Sequence, residues 1–223
     1  MQVSEAVKSR KSSRAFLSTP VDKAVLLEVL EKAQRAPSNS NIQPWRVHLV
    51  LGDVLAELRR ETAERSVFPP VFDAPHYPIY PDPLDDPYAA RRFECGERQY
   101  GTRGIDREDH QGRLEYVYGN MQFFGAPAGL FIFTEKGMGP SQWADLGIYL
   151  QTVLLLLTER GLDSCAQISW ALFNGTIQKI LNIDADMELY CGVAIGLADP
   201  DDSINRIEAS RADLGEVVTV HGG

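Results

Sequence analysis

Ala36-Pro37-Ser38-Asn39-Ser40-Asn41-Ile42-Gln43-Pro44-Trp45 places two prolines around a run made mostly of Ser and Asn. Each proline removes a backbone donor and pushes the residue before it toward extended geometry. Ser and Asn side chains bond to nearby backbone and favour turns. The stretch therefore reads as a stiff polar loop that ends a helix and precedes a strand. Before it, Val25, Leu26, Val29, Leu30 and Ala33 recur at helical spacing behind Asp22, a residue that can cap a helix. After it, Val47, Leu49 and Leu51 alternate with Arg46, His48 and Val50, the period of a strand. A loop of this make-up offers hydroxyls, carboxamides and backbone amides to a flat polar ligand, and taken alone it is equally an ordinary helix-to-strand connection.

Further out, Ser4 can cap a short helix running to Arg10, and Asp53 another through Leu55 and Leu58. The stretch 68–88 holds seven of the 13 prolines, interleaved with Phe68, Phe72, Tyr77, Tyr80 and Tyr88. Regular structure is not expected there. Aromatics this dense pack against something, so the stretch reads as an ordered lid or wrapping arm. Residues 89–113 are charged and helical in pieces, with a helix continuing over 114–124. Residues 130–133 form a short strand. Residues 145–160 read as a helix apolar on almost every side, which has to be buried on every side, a partner subunit being one way to cover it. Gly161 ends it. A strand over 163–170, a helix over 176–181 and a buried strand over 189–197 follow, and 217–220 reads as a final strand. There is no internal repeat and no linker, so the chain is expected to be one domain over 1–223 with an insertion at about 68–88.

Bulk properties narrow the function. The chain has 223 residues, 44% apolar and 24% charged, with a formal net charge of −9. That balance suits a globular protein and argues against a nucleic-acid or anionic-membrane partner. The longest apolar run, 153–157, is far short of the roughly 20 residues of a bilayer span, and the N-terminus lacks a signal-peptide pattern. Cys95, Cys165 and Cys191 are odd in number and widely spaced, which suits a reducing cytoplasm and neither a disulfide framework nor a zinc site. No metal is expected: His48, His76, His110 and His221 lack ligand spacing. Gly192-Val193-Ala194-Ile195-Gly196 runs into a strand, unlike a dinucleotide fingerprint.

Three stretches, in order along the chain, carry a resemblance. Arg10-Lys11-Ser12-Ser13-Arg14-Ala15-Phe16, the loop Pro37-Ser38-Asn39-Ser40-Asn41-Ile42-Gln43-Pro44-Trp45, and Ser210-Arg211 before Glu216-Val217-Val218 resemble the signatures of the FMN-dependent, oxygen-insensitive nitroreductase family. The resemblance implies an α+β fold, a mostly antiparallel sheet flanked by helices, in an intertwined homodimer with an exchanged C-terminal strand. It implies FMN as cofactor and NAD(P)H as electron donor. Arg10, Lys11, Ser12, Arg14 and Arg211 would serve the phosphate and ribityl chain. Pro37, Ser38, Asn39 and Asn41 would reach across from the other subunit, and Ala166, Gln167, Ile168 and Ser169 would line the ring. Arginine suits a phosphate because its guanidinium is planar, multidentate and always charged. Many members carry a Glu near Ile168; its absence here bears on the environment of the ring.

The resemblance implies hydride transfer from nicotinamide to flavin and on to a small aromatic, electron-poor acceptor such as a nitroarene, at one site used twice. No catalytic side chain is implied, since the flavin carries the chemistry. Dehalogenation or enone reduction on the same scaffold, and a flavin-binding storage or sensor module, are the other readings.

Overall fold

The computed structural model describes residues 1–65, 70–73 and 75–222. Among them four strands form one antiparallel sheet in the order β1-β2-β4-β3: β1 Arg46–Leu51, β2 Ala128–Glu135, β3 Asp163–Gln167 and β4 Met187–Gly196. The α+β architecture expected from the resemblance is present. β2 alternates faithfully. Leu130 and Ile132 face one layer of helices while Phe131 and Phe133 face the other, the period-2 consequence of the pleat.

On the first face α2 (Lys23–Ala33) and α6 (Pro140–Glu159) pack through Leu26, Val29, Leu146, Tyr149, Val153 and Leu157. On the second, α3 (Gly52–Arg65) and α7 (Asn174–Leu181) cover the sheet with Leu55, Leu58 and Ile177, joined by Phe123, Trp170 and Phe173 from two 3-10 segments, Gly119–Gly125 and Ile168–Phe173. Gly192 lies in β4 under the Trp170 indole, and a Cβ there would stand 2.3 Å from a ring carbon, so only glycine admits this contact. Each fully buried Leu or Phe contributes roughly 1.5–3 kcal/mol, so two such layers hold the sheet firmly.

The remaining elements are α1 (Val3–Ser9), α4 (Tyr88–Thr102), α5 (His110–Tyr118) and α8 (Leu214–Val217). Several expectations are corrected. The first helix is capped from Gln2, whose N–H meets the Glu5 carboxylate at 2.9 Å, and not from Ser4. α3 already starts at Gly52, so Asp53 lies in its first turn and does not cap it. The helix expected over 114–124 divides: α5 ends at Tyr118, and Gly119–Gly125 continues as a 3-10 segment kinked where Phe123 and Phe124 adopt positive φ. α6 begins five residues earlier than expected, with Pro140 at its first position.

The final strand expected over 217–220 is not formed. Leu214–Val217 is a helical turn, closed by Asp213 N–H on the Glu216 carboxylate, and residues 218–220 have no ladder partner among the described residues of the chain. α6 is also not buried all round: Ala144, Ile148 and Gln151 are exposed on one side, with Ile148 at 42%.

Of the arm expected over 68–88, Phe68 lies outside the described residues. The described part, as expected, holds no helix or strand up to Tyr88. It is pinned at both the Asp73 and Tyr77 positions. Asp73 pairs with Arg65 at 2.8 Å and accepts the Thr176 N–H at the start of α7. The Tyr77 hydroxyl donates to the Tyr190 carbonyl at 2.8 Å, and its ring meets Trp143 edge-on.

Candidate functional site

α1 ends at Arg10, where ψ turns to 123° and the chain becomes extended. The next residues run alongside β3. Ser12 bridges Ser164, the Ser13 N–H donates to the Ser164 carbonyl at 3.0 Å, and the Ser13 hydroxyl meets Asp163 at 3.2 Å. Phe16 then bridges Ala198. The stretch thus covers the open edge of the sheet, and Arg10, Lys11 and Arg14 are carried to that edge.

Their electrostatic setting is informative. In a chain with 31 acidic and 22 basic side chains, Arg10, Lys11, Arg14 and Arg211 have no carboxylate within 4.0 Å among the described residues. Lys11 Nζ donates instead to the Asn205 carbonyl at 2.7 Å, and Arg14 to the Ser12 carbonyl at 3.2 Å. Carbonyls orient these cations without neutralising them, which leaves their charge for an anion.

Cys165 of β3 is buried beneath this stretch. Burial pushes its thiol up, and Arg14, a Ser12 hydrogen bond and Arg10 pull against that without reversing it. The thiol therefore stays protonated at neutral pH and is no nucleophile. Tyr116 lies near Arg14 and Arg103. Burial pushes its phenol up to about 12, against the pull of both guanidiniums.

Of the four residues expected to line a ring, Ala166 is exposed and Ile168 and Ser169 are half-buried. Gln167 differs: its side chain is 2% exposed, donates to the Asn120 carbonyl at 2.7 Å and accepts from the Trp170 indole at 3.3 Å. That carboxamide is committed inside the protein and is not offered to a ligand.

The loop over 37–45 lies at the other edge of the sheet. Its root is fixed. Trp45 stacks on Tyr149 at 4.6 Å between centroids and donates to Gln34 at 3.2 Å. The Asn39 N–H donates to the Asp145 carboxylate at 3.0 Å, and the Gln43 N–H to the Ser38 hydroxyl at 2.9 Å. Ser40, Asn41 and Gln43 all take positive φ, which Asn tolerates better than most residues. The rim points outward: Pro37, Asn39 and Asn41 are exposed.

Within one chain these parts do not converge. Through the ladder, Ser164 beside Ser12 stands level with Leu51, whereas the loop enters β1 at Arg46. Three strand spacings and five residues of rise separate them, roughly 20 Å. Arg211 is also apart. Its guanidinium bonds the carbonyls of Ala209 and Ser210, and none of its described contacts reaches the Arg10 stretch. The structure unites the N-terminal stretch with the Ala166 segment and separates both from the loop.

Against known families, the nitroreductase family model matches residues 7–197. The chain belongs to the nitroreductase family. A 4-nitrobenzoate reductase of Pseudomonas putida is 36% identical over 92% of this chain and 89% of its own length. A crystal structure of the FMN and NADPH-dependent nitroreductase NfnB of Sphigopyxis sp. strain HMH superposes with a TM-score of 0.96 at 43% identity, covering both chains fully. The FMN-dependent NfnB of Mycobacterium smegmatis, solved with NADPH, gives 0.93 at 28% identity over 99% of each chain.

The nitroreductase's own residues fit an FMN. Cations without carboxylate partners suit its phosphate, the Ser12 and Ser38 hydroxyls and the Asn41 carboxamide suit its ribityl chain, and Ala166, Ile168 and Ser169 offer a partly apolar ledge with main-chain groups. Sequence reasoning missed Asp145, Asp163 and Asn205, which hold the loop and the N-terminal stretch in place. Their partners lie 106, 150 and 191 residues away in the chain, so no local pattern marks them.

Proposed function

We propose that this nitroreductase is an FMN-dependent NAD(P)H oxidoreductase that reduces nitroaromatic or related electron-poor acceptors. The observation that carries the reading is the set of cations beside β3, oriented by carbonyls and left without carboxylates in an acidic chain. Bound FMN supplies reversible two-electron hydride chemistry. Arg10, Lys11 and Arg14 hold its phosphate, with Arg211 joining them. Ser12 holds the ribityl chain. Main-chain groups of 166–169 meet the ring edge, and Gln167, locked by Asn120 and Trp170, keeps that segment rigid. Stacking and orientation over the ring do the catalytic work, with no acid or base demanded of a side chain.

The active form is a homodimer in which Pro37, Ser38, Asn39 and Asn41 complete the partner's site. The separation of loop and cation stretch supports this, and so do two exposed apolar surfaces. One is the Ile148 side of α6; the other is the C-terminal tail, with Leu214, Val217 and Val220 at 64% exposure or more. A soluble monomer has little use for such surfaces. The whole chain forms one domain, in which the arm borders the acceptor's side of the site. There the Arg92 guanidinium lies 4.1 Å from the centre of the Tyr80 ring, a flat cationic face for an electron-poor arene. The free thiols of Cys95, Cys165 and Cys191 support a reducing cytoplasm, and no described helix is long and apolar enough to cross a membrane.

The purified protein is expected to be yellow and to oxidise NAD(P)H under anaerobic conditions only when a nitroarene is supplied. Shortening the arm is expected to raise the KM for the acceptor and leave FMN content unchanged. A colourless protein that does not take up FMN would sink the reading. A flavoprotein that turns over no acceptor would make it a storage or sensor module instead.

A further inference from the structure

The stretch that carries Lys11 and Arg14 has little regular structure of its own. It is tied down by bridges at Ser12 and Phe16 and by Ser13, whose N–H and hydroxyl meet the Ser164 carbonyl and the Asp163 carboxylate; beyond Ser13 its main chain is held by the Asp199 N–H on the Ala15 carbonyl and by one distant side chain. Asn205 lies in the 3-10 turn Ser203–Arg206 and is 3% exposed. Its Oδ1 accepts the Arg14 N–H at 2.8 Å. Its Nδ2 donates to the Ala15 carbonyl at 2.8 Å and to the Asp199 carbonyl at 2.9 Å. Its own carbonyl accepts from Lys11 Nζ at 2.7 Å.

One carboxamide thus satisfies the donor of residue 14 and shares the acceptor of residue 15 with the Asp199 N–H at 3.0 Å, while its main chain aims Lys11. The turn is fixed in its own right. Asp202 accepts the Ile204 N–H at 3.0 Å and pairs with Arg103 at 3.0 Å, tying the turn to the end of α4. Every polar atom of the Asn205 side chain is used, and none is turned toward the cations' free side.

We propose that Asn205 is a positioning residue for recognition of the cofactor's phosphate: it touches no ligand and sets where Arg14 and Lys11 present their charge. This rests on the reading that the Arg10–Arg14 stretch holds the phosphate. Charged hydrogen bonds need donor–acceptor distances of about 2.7–2.9 Å, so a main chain displaced by half an ångström at Arg14 forfeits much of the contact. Without Asn205, the Arg14 N–H loses its partner and the Ala15 carbonyl keeps the Asp199 N–H, so the main chain at Arg14 is free to shift while Ser13 stays on β3.

The test is the affinity of full-length apoprotein for FMN and for riboflavin, which lacks the phosphate. Their ratio isolates the phosphate contacts from everything the ring and ribityl chain contribute. Arg14→Ala is expected to shrink the ratio at least about tenfold, the worth of one charged hydrogen bond. Asn205→Ala is expected to shrink it by a similar factor with riboflavin affinity nearly unchanged. A parallel loss of both affinities, with the ratio intact, would make Asn205 a packing residue and overturn the proposal. A ratio lost in Arg14→Ala and kept in Asn205→Ala would overturn the proposal alone. A ratio kept in Arg14→Ala would overturn the phosphate reading beneath it. Where Asn205→Ala does not fold, Asp202→Ala loosens the same turn from its exposed end. The ratio should then fall in the same direction, and an unchanged ratio would count against Asn205.

Discussion

The stretch over 10–16 and the loop over 37–45 are both polar, both follow a helix and both contain Ser and a residue suited to bind a ligand. They are held in opposite ways. The first is tied along its whole length to its own chain, through Ser164, Asp163, Ala198 and Asn205. Its charges are left without a carboxylate among the described residues. The second is fixed at its root, by Trp45 on Tyr149 and Asn39 on Asp145, and turns an exposed rim away from the molecule. A segment finished within its chain can be half of a site. A segment whose rim is finished by nothing in its chain is built for another surface. The difference fits the proposed site divided between two copies, with roughly 20 Å between loop and stretch inside each one.

The largest effect follows from that division. Homodimers of Arg14→Ala or of Asn41→Ala should each lose most of their FMN. A heterodimer of one Arg14→Ala subunit and one Asn41→Ala subunit carries both lesions in one site and none in the other. It should recover about half of the wild-type flavin content, read from absorbance per dimer after purification on two tags. If loop and stretch served the same chain's flavin, both sites would stay damaged and the comparison would break.

Root and rim of the loop can be separated in the same way. Trp45 is 4% exposed, so Trp45→Ala removes a core aromatic at a cost of about 3–5 kcal/mol and should lower Tm by roughly 6–20 °C. Asn41→Ala touches only the rim and, apart from the modest cost of Ala at a positive φ, should lower Tm far less while flavin is lost. Thermal melts of the two apoproteins would sharpen the contrast, and a matching drop for Asn41→Ala would show that the rim is structural.

The smallest effect is expected beneath the first stretch. Cys165→Ser should keep most turnover, because burial holds the thiol protonated and the cations above it need only a small neutral neighbour. A fall of several orders of magnitude with FMN still bound would make the thiol a participant and change what that half of the site is for.

Much was legible in advance. The helix capped by Asp22, the strand of β1 and the polar loop between them follow from periods and turn chemistry that act within a few residues. The two-faced pattern of β2 also survives folding, since Leu130 and Phe131 must point to opposite sides. The family motifs marked Arg10, Arg14 and Asn41 as a set. They did not mark Gln167 as a side chain already spent on Asn120 and Trp170. The tail differs for a related reason. Val217, Val218 and Val220 have strand-forming composition, but a strand needs a ladder partner, and among the described residues of one chain none lies beside them.

By itself the sequence determined the local elements, the acidic balance and the three polar stretches, because propensity, capping and charge are properties of neighbouring residues. The tertiary structure alone decided which stretches meet. It laid residues 12–16 along β3, sent the loop to the opposite edge, and placed Asn205 and Asp145 as their anchors across 191 and 106 residues of chain. Such contacts arise from the order β1-β2-β4-β3 and the packing of helices on its two faces, and those depend on the whole core at once.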